Sequence, residues 1–497
     1  MAKQPNILFI MGDDIGINNL SCYSHGVMGY KTPNIDRLAK EGIMFTDFYA
    51  EQSCTAGRAA FITGQIPFRT GLTKVGVPNA KYGMEDETVT LAWALKDMGY
   101  RTGQFGKNHF GDRPEHLPTR HGFDEFYGVF YHLNAYEDPF DIDYPNDKDF
   151  PNFREKWGPK NLTHAWADGR TEDKGELTLE RIQTIDDEFM AESKRFIKEA
   201  VDADEPFFVW HNTTHMHLWT QTKPESVLQA GRWQSRYHDT MIDHDKGIGE
   251  LVDYLDELGI ADDTVVVYTT DNGPQLNTWP DSGYTPFRNE KDTNWEGAFR
   301  VPCLARYPGT WREGEILNGI TSLQDWFVTF CTLAGNPDIK EQLIEGKELA
   351  GKKFKQHLDG YDLNDYLSGK SEDSPRESFF YFTDDGDLAA LRYDNWKLVF
   401  LSQDTPGTFK VWQSPFTRLR VPMLFNLRTD PYERASVASN TYVDWMYRKA
   451  SFLAIPAQGY VANLLQTFKE FPPQQKPPSF TIDQAMETLQ HAASNIA

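Results

Sequence analysis

Residues 5–14 read Pro5-Asn6-Ile7-Leu8-Phe9-Ile10-Met11-Gly12-Asp13-Asp14. A short apolar run that stops at a glycine is the pattern of a strand covered on both faces, as parallel strands are. Two carboxylates follow at its carboxyl end, where open α/β sheets place their ligands. Side by side they repel unless a cation lies between them; a solvated turn is the bland alternative for this segment alone. The same design recurs far along the chain. Thr264-Val265-Val266-Val267-Tyr268-Thr269-Thr270 is the clearest strand of all, and it ends in Asp271-Asn272-Gly273. Four hard oxygen donors at two strand ends suit Ca²⁺ or Mg²⁺ better than a thiophilic metal.

Outward from these two strands the rest of a sheet can be traced. Met44–Tyr49, Arg101–Phe105, Pro206–Trp210 and Cys303–Tyr307 read as further strands. Thr32–Gly42, Thr88–Gly99, Phe189–Val201 and Ile248–Leu258 read as helices, several stopped by glycine. The expectation is an α/β domain over residues 1–375, with a large central, mixed but mostly parallel sheet flanked by helices. From about Tyr127 to Thr178 periodicity fails, and aromatic and acidic residues alternate with prolines, as in an insertion that walls a site. After Pro375 the pattern becomes antiparallel: Phe379–Phe382, Leu388–Tyr393, Trp396–Leu401 and Leu424–Leu427. Residues 376–497 are therefore expected to form a smaller C-terminal α+β region, ending in a helical tail interrupted by the proline-rich strap Phe471–Pro478.

The chemistry-bearing residues stand where these strands end. Met44–Tyr49 delivers the chain to Ser53-Cys54-Thr55-Ala56-Gly57-Arg58. On a helix opening near Cys54, positions 54 and 58 share a face, so thiol and guanidinium meet at a positive helix end. A small buried hydrophobe is the plainer reading of that cysteine. Lys107 and His109 follow the strand Arg101–Phe105 and suit an anion. Lys291 lies on a loop before Cys303 and, alone, reads as a solvated lysine. His211, His215 and His217 follow Trp210 and have the composition of a zinc site, although no fourth ligand of fitting spacing comes after them.

The whole chain sets limits. Its 497 residues carry 50 Lys and Arg against 73 Asp and Glu, a net charge of −23, which argues against nucleic acid and anionic membranes as partners. An anionic substrate remains compatible with this, because a local cation cluster reverses the field inside a cleft. Four scattered cysteines make no disulfide framework. No apolar run reaches transmembrane length or resembles a signal peptide. A cytoplasmic location is the simplest expectation, with a periplasmic or secreted one if a signal has been removed.

Taken in order, these segments resemble the formylglycine-dependent sulfatases of the alkaline phosphatase-like superfamily. The resemblance runs through Gly12-Asp13-Asp14, Thr32-Pro33-Asn34-Ile35-Asp36, Cys54-Thr55-Ala56-Gly57-Arg58, Gly106-Lys107-Asn108-His109, Asp271-Asn272-Gly273, Lys291–Pro302 and Leu424–Glu433. It implies that Cys54 is oxidised to Cα-formylglycine by a formylglycine-generating or radical maturation enzyme. It implies a cation, normally Ca²⁺, held by Asp13, Asp14, Asp271 and Asn272 together with a diol oxygen at position 54. Arg58 would orient the second hydroxyl, Lys107 and Lys291 would neutralise sulfate, and His215 or Lys291 would protonate the leaving oxygen. After in-line attack, His109 would take a proton from the second hydroxyl, so that sulfate departs and the aldehyde returns. The substrate would be a small sulfate monoester, aryl sulfates included. A phosphonate monoester or phosphodiester hydrolase on the same scaffold is the alternative, and a binder of sulfated ligands with a dead site is a third reading.

Two departures stand out. Ala56 replaces the proline of the family's commonest signature, which bears on the maturation system used. The usual proline-histidine-x-proline segment reads Thr214-His215-Met216-His217, an alignment that makes His215 the equivalent histidine. The resemblance leaves the oligomeric state open.

Overall fold

The computed structural model describes residues 4–276 and 279–478. In chain order, the elements that build the site-bearing part are β1 (Asn6–Gly12), β2 (Ile43–Phe45), α1 (Cys54–Thr63), β3 (Arg101–Lys107), β4 (Glu125–Val129), β5 (Thr163–Trp166), β6 (Thr171–Asp173), α2 (Ile185–Asp202), β7 (Phe207–Asn212), α3 (Arg236–Glu257), β8 (Thr264–Thr270), β9 (Cys303–Arg306), β10 (Glu315–Leu317) and α4 (Asp325–Leu333). The ten strands form one sheet in the order β10-β2-β9-β8-β1-β7-β3-β4-β5-β6. Its centre, β8-β1-β7-β3-β4, is parallel, whereas β9 and the outer strands β5 and β6 run antiparallel to their neighbours. The mixed, mostly parallel sheet expected from the sequence is present.

Side-chain alternation sorts the central strands into two cores. On β1, Ile7, Phe9 and Met11 face one side, where α1 and α4 bring Ala59, Phe61, Trp326 and Phe330; Leu8 and Ile10 face the other, against Phe189 and Phe196 of α2 and Ile248 and Leu251 of α3. Both faces are thus dry, which is why β1 is apolar from Ile7 to Met11 and β8 from Val265 to Tyr268. The carboxyl ends of β1, β3, β7 and β8 open to the same rim, because the four strands are parallel and adjacent.

Residues beyond this body form a four-stranded antiparallel sheet, β11 (Ser378–Phe382), β12 (Leu388–Tyr393), β13 (Trp396–Ser402) and β14 (Thr417–Asn426), and a long helix, α5 (Tyr442–Glu470). The sheet packs behind the loop that carries Lys291. Lys397 of β13 is fully buried there, with its Nζ 3.0 Å from Glu296 and 2.8 Å from Glu433. The Phe471–Pro478 strap crosses back over the large domain, where Gln475 Nε2 donates to the carbonyls of Thr70 and Gly83. The tail beyond it lies outside the described residues.

Three local expectations change. Met44–Tyr49 is not one strand: Ile43–Phe45 joins the main sheet, while Phe48-Tyr49 pairs with Thr321-Ser322. Asp47 causes the break, since its buried carboxylate is turned to Arg300, Arg392 and Arg428. The 127–178 stretch is not wholly irregular, because it completes β4 and contributes β5 and β6 to the sheet edge. Helix α3 begins at Arg236, well before Ile248, with Ser235 accepting from the His238 amide.

Candidate active site

Parallel pairing of β1 with β8 sets Gly12 opposite Thr270, so Asp13-Asp14 and Asp271-Asn272 leave the sheet side by side. Helix α1 starts at Cys54 directly over this point, after Ser53 in extended backbone, and all ten of its residues are buried. Gly57 permits the approach. A Cβ there would stand 1.8 Å from the Asp271 carbonyl oxygen, so only glycine lets the helix sit on the strand end. Non-glycine residues in left-handed backbone gather around the same spot: Asp14 (φ 56°), His109 (φ 73°), Met216 (φ 85°) and Asp292 (φ 65°). Each costs roughly 1–2 kcal/mol, and such strain is typical of functional sites.

The side chains converge. One ligand atom from each of Asp13, Asp14, Cys54 and Asp271 lies within 4.8 Å of all the others, and all four residues are buried. Cys54 Sγ is 3.4 Å from Asp13 Oδ1 and 3.8 Å from Asp14 Oδ1. Asn272 donates from Nδ2 to Asp14 Oδ1 at 2.6 Å, which leaves its Oδ1 buried without a hydrogen-bond partner. Three carboxylates and an orphaned amide oxygen, closed off from water, fit a hard divalent cation.

Cations of the chain surround them. Lys107 Nζ is 2.6 Å from Asp13 Oδ2. Lys291 Nζ donates to Asp14 Oδ1 at 2.7 Å and to Cys54 Sγ at 3.0 Å. Arg58 is wholly buried; it donates to Asp271 Oδ2, to Asn212 Oδ1 and to the carbonyls of Lys107 and Gly12, so it cannot swing. Burial would raise the Asp13 carboxyl, but Lys107, His217, Arg58 and Lys291 outweigh it and hold it below the usual carboxylate range. Asp271 goes the other way: burial, with Asp13 beside it, pushes it up to about 6. Burial and the Asp271 charge push the Cys54 thiol well above its ordinary value, so the group is no ready thiolate. Burial would lower Lys291, yet Asp14 and Cys54 keep it firmly protonated.

The histidine run disperses. His211 Nδ1 meets Ser193 Oγ at 2.9 Å, and His215 Nδ1 meets Asp186 Oδ2 at 2.9 Å, away from the carboxylate cluster. His217 turns inward instead, with Nε2 3.7 Å from Asp14 Oδ2, and it forms a close group with Asp13 and Cys54. The zinc arrangement considered for the three is therefore absent among the described residues, and the histidine the fold brings to the cluster is His217 rather than His215. His109, in left-handed backbone, is brought close to Lys107, Arg58 and Lys291. His132, which the sequence reading passed over, joins it: Nδ1 is 3.5 Å from His109 Nε2, and its ring stacks on His217. His217 stands in the Thr214–His217 segment at the place of the motif's second proline; His132 carries no local signal.

Known proteins resemble this chain along most of its length. The sulfatase family profile matches residues 5–336, and the C-terminal region of aryl-sulfatase matches residues 374–489. Human arylsulfatase A is 31% identical over 87% of this chain and 83% of its own length. The N-acetylgalactosamine-6-sulfatase of Canis lupus familiaris is 30% identical over 90% of this chain and 84% of its own. The crystal structure of PsFucS1 sulfatase from Pseudoalteromonas sp. superimposes with a TM-score of 0.83 at 30% identity, over 95% of this chain and 92% of that one.

Proposed function

The chain belongs to the sulfatase family and is a sulfate ester hydrolase; from that premise we propose that it cleaves sulfate monoesters, aryl sulfates among them, at position 54. The observation that carries this reading is the closed cluster of Cys54, Asp13, Asp14 and Asp271 with Lys107, Lys291 and Arg58 against it. We propose Ca²⁺ as the cation for Asp13, Asp14, Asp271 and Asn272; when bound, it supplies charge to sulfate oxygens and acidifies the nucleophile. We propose also that Cys54 is matured to Cα-formylglycine, whose hydrate supplies the attacking hydroxyl.

The chain's own residues then have defined work. Arg58, locked by Asp271 and Asn212, holds a fixed positive charge under position 54 and keeps its hydroxyls oriented. Lys107 and Lys291 balance the charge of the incoming sulfate and the charge that develops as the ester bond breaks. Lys291 and His217 flank the group that departs, and Lys291 is the one its carboxylate neighbours keep charged, so it gives the leaving oxygen its proton. His109 takes a proton in the step that releases sulfate. The depth of the cluster excludes water from all of these transfers.

For the organic part, the exposed rings of Trp219, Trp279 and Tyr284, which follow His217 and Asn272 in the chain, offer flat apolar faces that fit a phenyl group or the face of a sugar ring. The deciding experiment compares kcat/KM for an aryl sulfate and an aryl phosphodiester with the Ca²⁺-loaded, matured enzyme. Preference for the sulfate supports the proposal; preference for the phosphodiester moves the assignment to the phosphonate and phosphodiester hydrolases of the same scaffold.

A further inference from the structure

His132 stands where the chain leaves β4 and enters the short helix Leu133–Glu137. Its half-buried ring touches both other histidines of the centre. Nδ1 lies 3.5 Å from Nε2 of His109. The ring plane stacks on His217 with centroids 5.0 Å apart and planes 21° from parallel.

The surroundings of His109 give that contact a direction. Its Nδ1 is buried and has no hydrogen-bond partner. Its Cδ2 edge faces Gly76, where a Cβ would come within 3.7 Å. Nε2 is thus the ring nitrogen that a protein group engages, and His132 is that group. A neutral imidazole carries one N–H and one lone pair, and burial, together with the nearby lysines, holds both rings well below their ordinary values. If Nε2 of His109 carries the hydrogen and donates it to His132, Nδ1 keeps the lone pair a base requires. The opposite tautomer would present an N–H to the reacting group.

We propose that His132 is a positioning residue: its Nδ1 accepts the Nε2–H of His109, fixing the tautomer whose Nδ1 removes a proton from the reacting hydroxyl, while its ring clamps His217. This role rests on the sulfate-hydrolase reading. The proton moves from the hydroxyl oxygen to His109 Nδ1, and the O–H electron pair stays on oxygen. His132 neither gains nor loses a proton; its own hydrogen sits on Nε2. A contact of 3.5 Å is long at rest. Once His109 is charged, its Nε2–H becomes a stronger donor, so the pairing strengthens as the proton is transferred and helps the step rather than merely binding substrate.

Two variants of the loaded enzyme separate positioning from packing. His132→Phe keeps a ring on His217 and loses the acceptor; His132→Asn keeps an acceptor and loses the ring. In His132→Phe, kcat is expected to fall about 10- to 100-fold, as for other orienting partners, and KM to fall with it, because kcat/KM reports only the steps up to departure of the alcohol. The slow step should come after the alcohol has left, visible as a burst of about one equivalent of alcohol and a steady state indifferent to the leaving group. His132→Asn should recover most of kcat. An unchanged kcat in His132→Phe, a loss expressed in KM without a burst, or no recovery in His132→Asn would each overturn the role. A parent enzyme that turns over no sulfate ester overturns the hydrolase reading itself, which the same assay distinguishes.

Discussion

Lys291 Nζ stands 3.0 Å from Cys54 Sγ while also holding Asp14, so one ammonium spans the nucleophile's position and the carboxylate cluster. Its loop is pinned from both sides: the Lys291 amide donates to the Pro274 carbonyl and the Asp292 amide to the Gln52 carbonyl. If Lys291 protonates the leaving oxygen, Lys291→Ala lowers kcat/KM by about 10²–10⁴-fold. The loss should shrink for phenols of low pKa, which leave without help. Rates across a series of aryl sulfates measure this, and an equal loss for every leaving group would reduce Lys291 to charge balance.

His217 and His215 are predicted to behave differently. His217 faces Asp14, so His217→Ala is expected to cost about 10²-fold or more in kcat/KM with little change in Tm. His215 is bonded to Asp186, which also accepts from the amide and hydroxyl of Thr214. His215→Ala should lower Tm and spare most of kcat once the protein is folded. Paired melting and steady-state measurements decide it, and the reverse pattern would restore His215 to the site.

The contrast shows what the sequence could and could not reveal. Strand-end acids were legible because buried parallel strands are apolar throughout and their polar ends therefore stand out, as at Asp13-Asp14 and Asp271-Asn272. Helical spacing put Cys54 and Arg58 on one face, but it was the family resemblance of the ordered segments that marked them as reacting residues. His215 and His217 are two residues apart in a non-helical segment, where local pattern does not say which ring turns inward; the left-handed Met216 between them does. His132 reaches His217 only through the tertiary fold, across 85 positions of chain. Asp47 broke a predicted strand for the same kind of reason, since its three arginine partners lie more than 250 residues away.

Asn272 tests the cation site without touching a catalytic charge. Its buried Oδ1 lacks a partner in the chain, so Asn272→Ala removes one oxygen donor. Titration calorimetry is expected to show Ca²⁺ affinity weakened roughly 10- to 100-fold. Chelation of the parent should lower both activity and Tm, reversibly, because a ligand that binds only the folded state stabilises it. Unaltered affinity in Asn272→Ala would place the ion elsewhere.

Stability in acid should depend on Asp359. Burial would raise its carboxyl, but Arg69, which grips it at 2.7 and 2.8 Å, holds it well below the ordinary value of 3.8. The unfolded chain therefore binds the proton more readily. The pair's contribution is complete at neutral pH and is lost progressively as the pH falls below about 4. Asp359→Ala leaves a buried guanidinium unpaired and is expected to cost about 3–5 kcal/mol at neutral pH. Denaturant melts at pH 7 and pH 3 measure both, and the difference between variant and parent should narrow at the lower pH. A constant difference would show that the charge pair is not its source.

The central claim is that position 54 works as an aldehyde hydrate and not as a thiol. Mass spectrometry of the Cys54 peptide from natively matured protein, with sulfate-ester turnover measured on the same preparations, tests this directly. The prediction is a peptide bearing the aldehyde, with specific activity rising in proportion to the aldehyde fraction. Full activity in protein whose Cys54 peptide is entirely unmodified thiol would contradict it.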